Sequence, residues 1–333
     1  MKKLIDLVFI SLFCIASSAQ DYKPVNQSYQ DFEYKKQPVK VERMSYEFKD
    51  KLVTDTEKEV LEFDEKGNIK SSVITSFLDN NAQIKITYEY NNGLLVKQRQ
   101  ENSTTPHLQY TITYFYDKKG NSKTKKLKTD DGVTETYTYE YKNGKLVTEK
   151  AKFSPKKQTI YTYLYNPFGE LYTIEGKENI DGKVAVFYDL YHNNKKVADY
   201  DELGASGMNA YLYTETPKSN IEYQVVKKEM LEEIKEMQKR LGEIKHDSEP
   251  AMNENLSFLN KNLHYIKPVV AKYFKRNENG DIIAATDVYQ PFKTVENIDF
   301  YKITYSDGSV SGDKNFDIFT YNELQKLLTD DTL

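Results

Sequence analysis

The sequence predicts a mainly β fold: an antiparallel meander of stacked β-hairpins, with an inserted αα-hairpin and a short C-terminal helix. Two observations carry this. The first is an aromatic residue followed by a tight glycine or asparagine turn, at Phe63-Asp-Glu-Lys-Gly67, Tyr90-Asn-Asn-Gly93, Tyr116-Asp-Lys-Lys-Gly120, Tyr141-Lys-Asn-Gly144, Tyr165-Asn-Pro-Phe-Gly169 and Tyr191-His-Asn-Asn194. The steps between the aromatic residues are 27, 26, 25, 24 and 26 residues, a period at which each unit buries its apolar face only against its neighbours. The second is period-2 alternation between the turns, the pattern of a half-buried strand. Ile84, Ile86, Tyr88 and Tyr90 fall on one face, with Lys85, Thr87 and Glu89 on the other.

In chain order, residues 1–19 read as a secretory leader. Lys2 and Lys3 precede an apolar run from Leu7 to Ala16, and Ser17-Ser18-Ala19 offers small residues for cleavage. The run is too short to span a bilayer, which takes roughly 20 residues. Cys14 follows Phe13, whereas bacterial lipoprotein signals place a small residue before the modified cysteine, so lipidation is not expected. Residues 20–38 are polar and aperiodic, an irregular lead-in.

Residues 39–217 form the hairpin array. Asn92-Gly93 and Asn143-Gly144 suit type I′ turns, which need positive φ at both central residues. The longer loops ending in Gly67, Gly120 and Gly169 fit a type I turn closed by a left-handed glycine. Residues 218–268 break the pattern. Ser219 and Glu222 read as a capping box, and Tyr223, Val226, Met230, Ile234, Met237, Leu241 and Ile244 form one helical stripe. A second helix is expected over roughly 253–266, stopping before Pro268. Residues 269–333 return to hairpins, turning at Asn277-Glu-Asn-Gly280 and Ser306-Asp-Gly308, and end in a short helix capped by Thr320 and Glu323.

Composition excludes several functions. Removing the leader takes two lysines and one aspartate, and the formal charge moves from -4 to -5, which gives no electrostatic case for nucleic acid. It also removes the sole cysteine, leaving no disulfide framework and no cysteine nucleophile. The basic residues are overwhelmingly lysine, with arginine only at 43, 99, 240 and 276, so arginine-fork phosphate clamps are not expected.

The repeat unit Tyr114-Phe-Tyr-Asp-Lys-Lys-Gly-Asn121 resembles the tyrosine-aspartate (YD) repeats of the Rhs and teneurin-like family. Phe63-Asp-Glu-Lys-Gly-Asn68 and Tyr163-Leu-Tyr-Asn-Pro-Phe-Gly169 are weaker matches. Tyr141-Lys-Asn-Gly-Lys-Leu146 is also similar to variant MORN repeats. Both resemblances imply antiparallel hairpins stacked in a row, over roughly residues 40–215 and 270–312. The chain has no Asp-Pro pair of the kind Rhs self-cleavage uses, so encapsulation and self-cleavage do not transfer.

No catalytic or metal-binding constellation appears, and no cofactor is expected. His107, His192, His246 and His264 are scattered, with His192 read as a solvated turn residue. The acidic turns at Asp64, Asp117, Asp281 and Asp307 lack calcium-loop spacing. The candidate binding residues are Tyr88, Tyr90, Tyr114, Tyr116, Tyr139, Tyr141, Tyr163 and Tyr165, expected as a ladder on one sheet face. Such a ladder either holds the sheet together by cross-strand pairing or offers an aromatic platform to a glycan or a partner's apolar surface. The expected role is an exported, non-enzymatic scaffold of the cell envelope, periplasmic or at the cell surface, that binds a protein or polysaccharide. Two alternatives accompany it: a homodimeric structural component assembling through helix 219–245, with Met237 and Leu241 at its interface, and a glycan hydrolase using carboxylates such as Glu89 and Glu140.

Overall fold

Turn chemistry divides the chain into hairpins. The computed structural model describes residues 28–49, 52–105, 108–193, 195–201, 208–215, 219–226, 231–245, 266–289 and 297–330. Its strands are β1 (Pro38–Lys49), β2 (Leu52–Phe63), β3 (Ile69–Ser76), β4 (Ala82–Asn91), β5 (Leu94–Asn102), β6 (Tyr110–Tyr116), β7 (Ser122–Thr129), β8 (Thr134–Lys142), β9 (Lys145–Ser154) and β10 (Lys157–Tyr165). They continue with β11 (Leu171–Ile180), β12 (Lys183–His192), β13 (Lys195–Asp201), β14 (Met208–Glu215), β15 (Ser219–Val226), β16 (Ile266–Arg276), β17 (Ile282–Tyr289), β18 (Asn297–Tyr305) and the two-residue β19 (Val310–Ser311). The two described helices are α1 (Leu231–Glu243) and α2 (Ile318–Asp330).

The turns behave as their residues dictate. Asn92-Gly93, Asn143-Gly144 and Asp181-Gly182 take positive φ at both positions, as type I′ hairpins require. In the longer loops a carboxylate or amide organises the reversal. Asp64 Oδ1 accepts the amides of Lys66 and Asn68, each at 2.9 Å, and Asp117 Oδ1 accepts those of Lys119 and Asn121 at 2.8 and 2.9 Å. Asn166 does the same for Phe168 and Glu170 at 3.0 and 2.9 Å. The glycine then closes the turn at φ between +80 and +85° in Gly67, Gly120 and Gly169.

Each strand from β2 to β17 pairs antiparallel with its predecessor and its successor, and β1 pairs with both β2 and β18. The meander therefore returns to its first strand and closes on itself. Eighteen strands at about 4.8 Å spacing give a perimeter of about 86 Å. Because hairpins alternate, the repeat turns at Gly67, Gly93, Gly120, Gly144 and Gly169 lie at one end of the ring, and Asp181-Gly182 lies at the other. Toward the repeat-turn end the ladders between hairpins stop early: β5 and β6 pair only from Gln100↔Tyr110 to Lys97↔Thr113. The tyrosine before the turn fills this fork. Tyr116 Oη donates to the Leu95 carbonyl, and Tyr165 Oη donates to the Leu146 carbonyl at 2.9 Å. This satisfies acceptors that the ladder leaves open.

Three expectations change. Residues 219–226 form a strand, not the first turns of a 25-residue helix, and the described helix runs over Leu231–Glu243. Ile221, Tyr223 and Val225 alternate with Glu222 and Gln224, and pairing to both β14 and β16 outweighs the capping-box pattern. The second expected helix falls largely on residues 246–265, outside the described residues, and Ile266 already begins β16. The terminal helix is capped by Asp317, which accepts the amides of Phe319 and Thr320, each at 3.1 Å, rather than by Thr320.

The lead-in is also no loose tether where it is described. Residues 28–37 lie as a strap across the turn end. Ser28 bridges to Asn68, the Tyr29 amide donates to the Gly67 carbonyl at 2.8 Å, and Phe32 and Tyr34 meet the Phe63 ring edge-on. Tyr34 joins Val41, Leu61, Phe63, Ile69, Ile86 and Ile303 in the core, where each full burial contributes about 1.5–3 kcal/mol.

Gly67 and Gly120 share positive φ, but only Gly67 lies under a ring: an added Cβ would sit 2.5 Å from Tyr29 Cδ1, whereas Gly120 faces open space. Gly120→Ala should lose about 1–2 kcal/mol of unfolding free energy from the left-handed backbone alone, and Gly67→Ala more. Urea titrations compare them. Equal losses would show that the strap adds nothing to stability.

Candidate functional site

Strand register fixes which side chains share a face. Tyr88 faces Gln98, Tyr114 faces Lys125, Tyr139 faces Glu149, and Tyr163 faces Ile174. The bulges near the turns fall in the partner strands, so Tyr90, Tyr116, Tyr141 and Tyr165 stay on the same side as the tyrosines two residues earlier. All eight candidates thus occupy one face. They do not form an unbroken ladder: they come from β4, β6, β8 and β10, and the intervening strands insert Gln98, Lys125 and Glu149 between them.

This is the inner face of the ring, because α1 and the segment leading into α2 pack on the other side. Ile234, Met237 and Leu241 are buried where α1 covers Thr173, Leu190 and Ala198. Tyr200 Oη, on that outer side, donates to Gln238 Oε1 at 2.7 Å. The stripe that the dimeric alternative would place at an interface is thus used against the chain's own sheet.

The inner face has two halves. Across β1 to β5 and β18 it is packed: Val41, Leu61, Ile84, Ile86, Tyr88, Gln98 and Gln100 are all buried. Across β6 to β12 it is half-buried, with Ile112, Tyr114, Lys125, Tyr137, Tyr161, Tyr163 and Phe187 each partly accessible. Lys125 Nζ lies 3.8 Å above the Tyr137 ring, a cation–π contact, and Tyr137 Oη donates to Glu135 at 2.8 Å. Tyr163 Oη donates to Glu149 Oε2 at 3.0 Å. Tyr161 meets Phe187 edge-on at 6.0 Å, and Phe187 lies over Gly176, where any Cβ would collide with its ring.

Cations on this face sit among more carboxylates than they can neutralise. Arg43 meets Glu57 at 2.9 Å, Glu59 at 3.1 Å and Asp299 at 3.7 Å. Lys196 bridges Asp189 and Asp199, each at 2.8 Å. Burial raises the carboxyl pKa values of Glu57, Glu149 and Asp189 above the ordinary range, with the neighbouring cation opposing it in each case. Burial likewise pushes the Tyr116 and Tyr141 hydroxyls up to about 12.

Glu89 and Glu140 are not brought together. They stand on the outer face of β4 and β8, exposed, and pair with Lys97 at 2.7 Å and Lys150 at 2.9 Å. His192 is buried at 3% exposure, not solvated, because it closes β12 beside the returning strand β13. Among the described residues, no group of three or more His, Cys, Asp or Glu side chains is arranged to hold a metal ion. The sequence reading passed over Lys125, Glu149, Tyr161, Phe187, Asp189 and Lys196 as site residues. Parity counted from each turn, with one residue allowed for the bulge, would have placed them.

No protein-family model matches the chain, and no curated protein matches it. Among solved structures it is similar to a porin-like protein from Bacteroides uniformis ATCC 8492, with 11% sequence identity, a TM-score of 0.35, and coverage of 80% of this chain and 96% of that one. A porin-like protein from Bacteroides vulgatus ATCC 8482 gives 10% identity and a TM-score of 0.26 over 81% and 99% of the two chains. The TcdB2-TccC3 structure without its hypervariable C-terminal region gives 10% and 0.21, over 86% of this chain and 16% of that one. With likeness this distant, the functional argument rests on the inner face itself.

The raised pKa of Glu149 has a definite sign in stability. A carboxyl whose folded pKa lies above its unfolded value favours folding while protonated, and that contribution is lost as pH rises through the folded pKa. Glu149→Gln should therefore lose less stability than the parent between about pH 4, below the unfolded glutamate value, and about pH 7. Denaturation midpoints at both pH values check this, and parallel pH profiles would contradict it.

Proposed function

We propose that the chain is an exported, non-enzymatic scaffold of the cell envelope that binds a protein or polysaccharide partner on the inner face of its strand ring. One observation carries this reading: half-buried rings of Tyr114, Tyr137, Tyr161, Tyr163 and Phe187 stand beside the titratable groups of Lys125 and Glu149 on a face enclosed by strands. Ring faces stack on sugar rings or apolar side chains, while Lys125 and Glu149 supply a donor and an acceptor for polar groups. The envelope assignment rests on the leader read in residues 1–19.

The outer face supports a water-facing ring over a lipid-facing wall. Lys85, Glu89, Lys126, Glu140, Lys150 and Lys152 are exposed there along β4 to β9. Lys at mid-bilayer on the lipid face of a barrel costs about 2–4 kcal/mol. No described helix is long and apolar enough to cross a membrane.

Tyr139 is too buried, at 7% exposure, to separate binding from stability. Tyr161 and Tyr163 are better placed. The purified protein should retain a partner from envelope extract or a cell-wall glycan panel. The double variant Tyr161→Ser, Tyr163→Ser should bind at least about tenfold more weakly while its melting temperature falls only a few degrees. Undiminished binding, or global unfolding, would remove the inner face from the reading.

A further inference from the structure

The junctions of the ring differ in strength. Among the described residues, β1 and β18 share nine register pairs and β16 and β17 share seven, but β17 and β18 share only Ala284↔Phe300 and Ala285↔Asp299. Toward the turn end these two strands part. The two-residue β19 occupies the wedge, pairing Ser311 with Ile303 on the β18 edge that β1 leaves free. Gly312 lies against β17 there: an added Cβ would stand 3.2 Å from the Ile283 side chain. Toward the other end a side chain replaces the ladder, with Thr286 Oγ1 donating to the Asn297 carbonyl at 2.5 Å.

A polar latch spans the wedge. Asp281, fully buried, accepts the Lys35 amide at 2.5 Å on Oδ1 and the Tyr305 hydroxyl at 2.7 Å on Oδ2. Asn277 Nδ2 donates to Tyr305 Oη at 2.7 Å and to Ser311 Oγ at 3.0 Å. Lys36 adds an ion pair to Asp307 at 2.7 Å and lies 4.5 Å over the Tyr305 ring. The strap, the β16–β17 turn, β18 and β19 thus meet at Asp281 and Tyr305. The donors named for this buried carboxylate are a backbone amide and a phenol, so removing the phenol leaves a buried acceptor short of a partner and loosens the wedge.

We propose that the ring opens laterally between β17 and β18, with Asp281 and Tyr305 as the latch. Opening breaks two ladder pairs and the polar set at the wedge; among the described residues the next shortest ladders of the ring are the three pairs of β13 with β14 and the four of β5 with β6. Such an opening gives side access to the inner face. That consequence rests on the binding reading above, but the opening itself does not.

Native-state hydrogen exchange on the full chain tests the opening without any ligand. Amides of β17 that face β18 should exchange at least about tenfold faster than those joining β1 to β2, and Tyr305→Phe should quicken them by a further factor of about ten while leaving β6 to β10 unchanged. The chain's sole cysteine is Cys14, so an Ala285→Cys, Asp299→Cys pair forms an unambiguous cross-link, which should slow β17 exchange to the rate of its neighbours. Equal protection of β17 and β1–β2 in the parent, or a uniform rise in all strands in Tyr305→Phe, would overturn the proposal. If the gate is present but the inner-face tyrosine variants bind normally, the opening stands and its assigned use falls.

Discussion

A strand at the edge of a sheet exposes a row of unsatisfied amides and carbonyls, and this chain removes its edges by pairing β1 with β18. That closure is the constraint on which the rest depends. It gives every strand an inside and an outside, which turns period-2 alternation into a division of labour. Inward residues are aromatic, aliphatic, neutral amides such as Gln98 and Gln100, or charged groups near counter-charges; outward residues along β4 to β9 are mostly lysine, glutamate and threonine. An open sheet with the same sequence would leave β1 and β18 to pair with other molecules.

Closure also brings a cost, since ionisable groups facing inward lose hydration. The solution recurs in three places. A cation is seated among carboxylates of neighbouring strands: Arg43 with Glu57 and Glu59, Lys125 near Glu149, Lys196 with Asp189 and Asp199. Cross-strand register makes this inexpensive in chain entropy, because opposite residues are already about 5 Å apart in a ladder. The raised carboxyl pKa values show that the pairing offsets burial only in part. The inner wall is therefore polarised as well as aromatic, which suits a ligand with both ring faces and hydrogen-bonding groups.

Most of the fold was legible because its signals are local. Asn-Gly turns, Asp-x-x-Gly turns and aromatic alternation each act within a few residues, and each appears where the residues demanded. Closure was not legible, because nothing local in Val41 or Ile303 states that the two will be neighbours across some 260 residues of chain. Segment 219–226 failed for a related reason. Its 3–4 spacing and its period-2 spacing coexist, and only the flanking strands β14 and β16 decide between them. For the candidate site, the eight tyrosines were placed on one face correctly, yet the polar partners between them were missed. Those partners lie on odd-numbered strands after a bulge, which shifts parity by one residue and hides it from simple alternation.

The two halves of the inner face suggest why the molecule can be both stable and receptive. Strap, β18 and β1 to β5 concentrate the buried aliphatic and aromatic contacts, so that half is densely packed up to its border at the β17–β18 wedge. The β6 to β12 side holds its shape through ladders, tyrosine hydroxyls capping open carbonyls, and ion pairs, none of which requires filling the interior. Packing that side as densely would bury the rings of Tyr161 and Phe187 and close the face to any partner. Tyr116 and Tyr165 contribute to this economy: each hydroxyl caps a carbonyl at the fork between hairpins while its ring remains on the inner wall. At Tyr116 and Tyr165 one side chain therefore serves the backbone and the inner wall together, whereas Phe63 at the same place in the first unit supplies the ring alone.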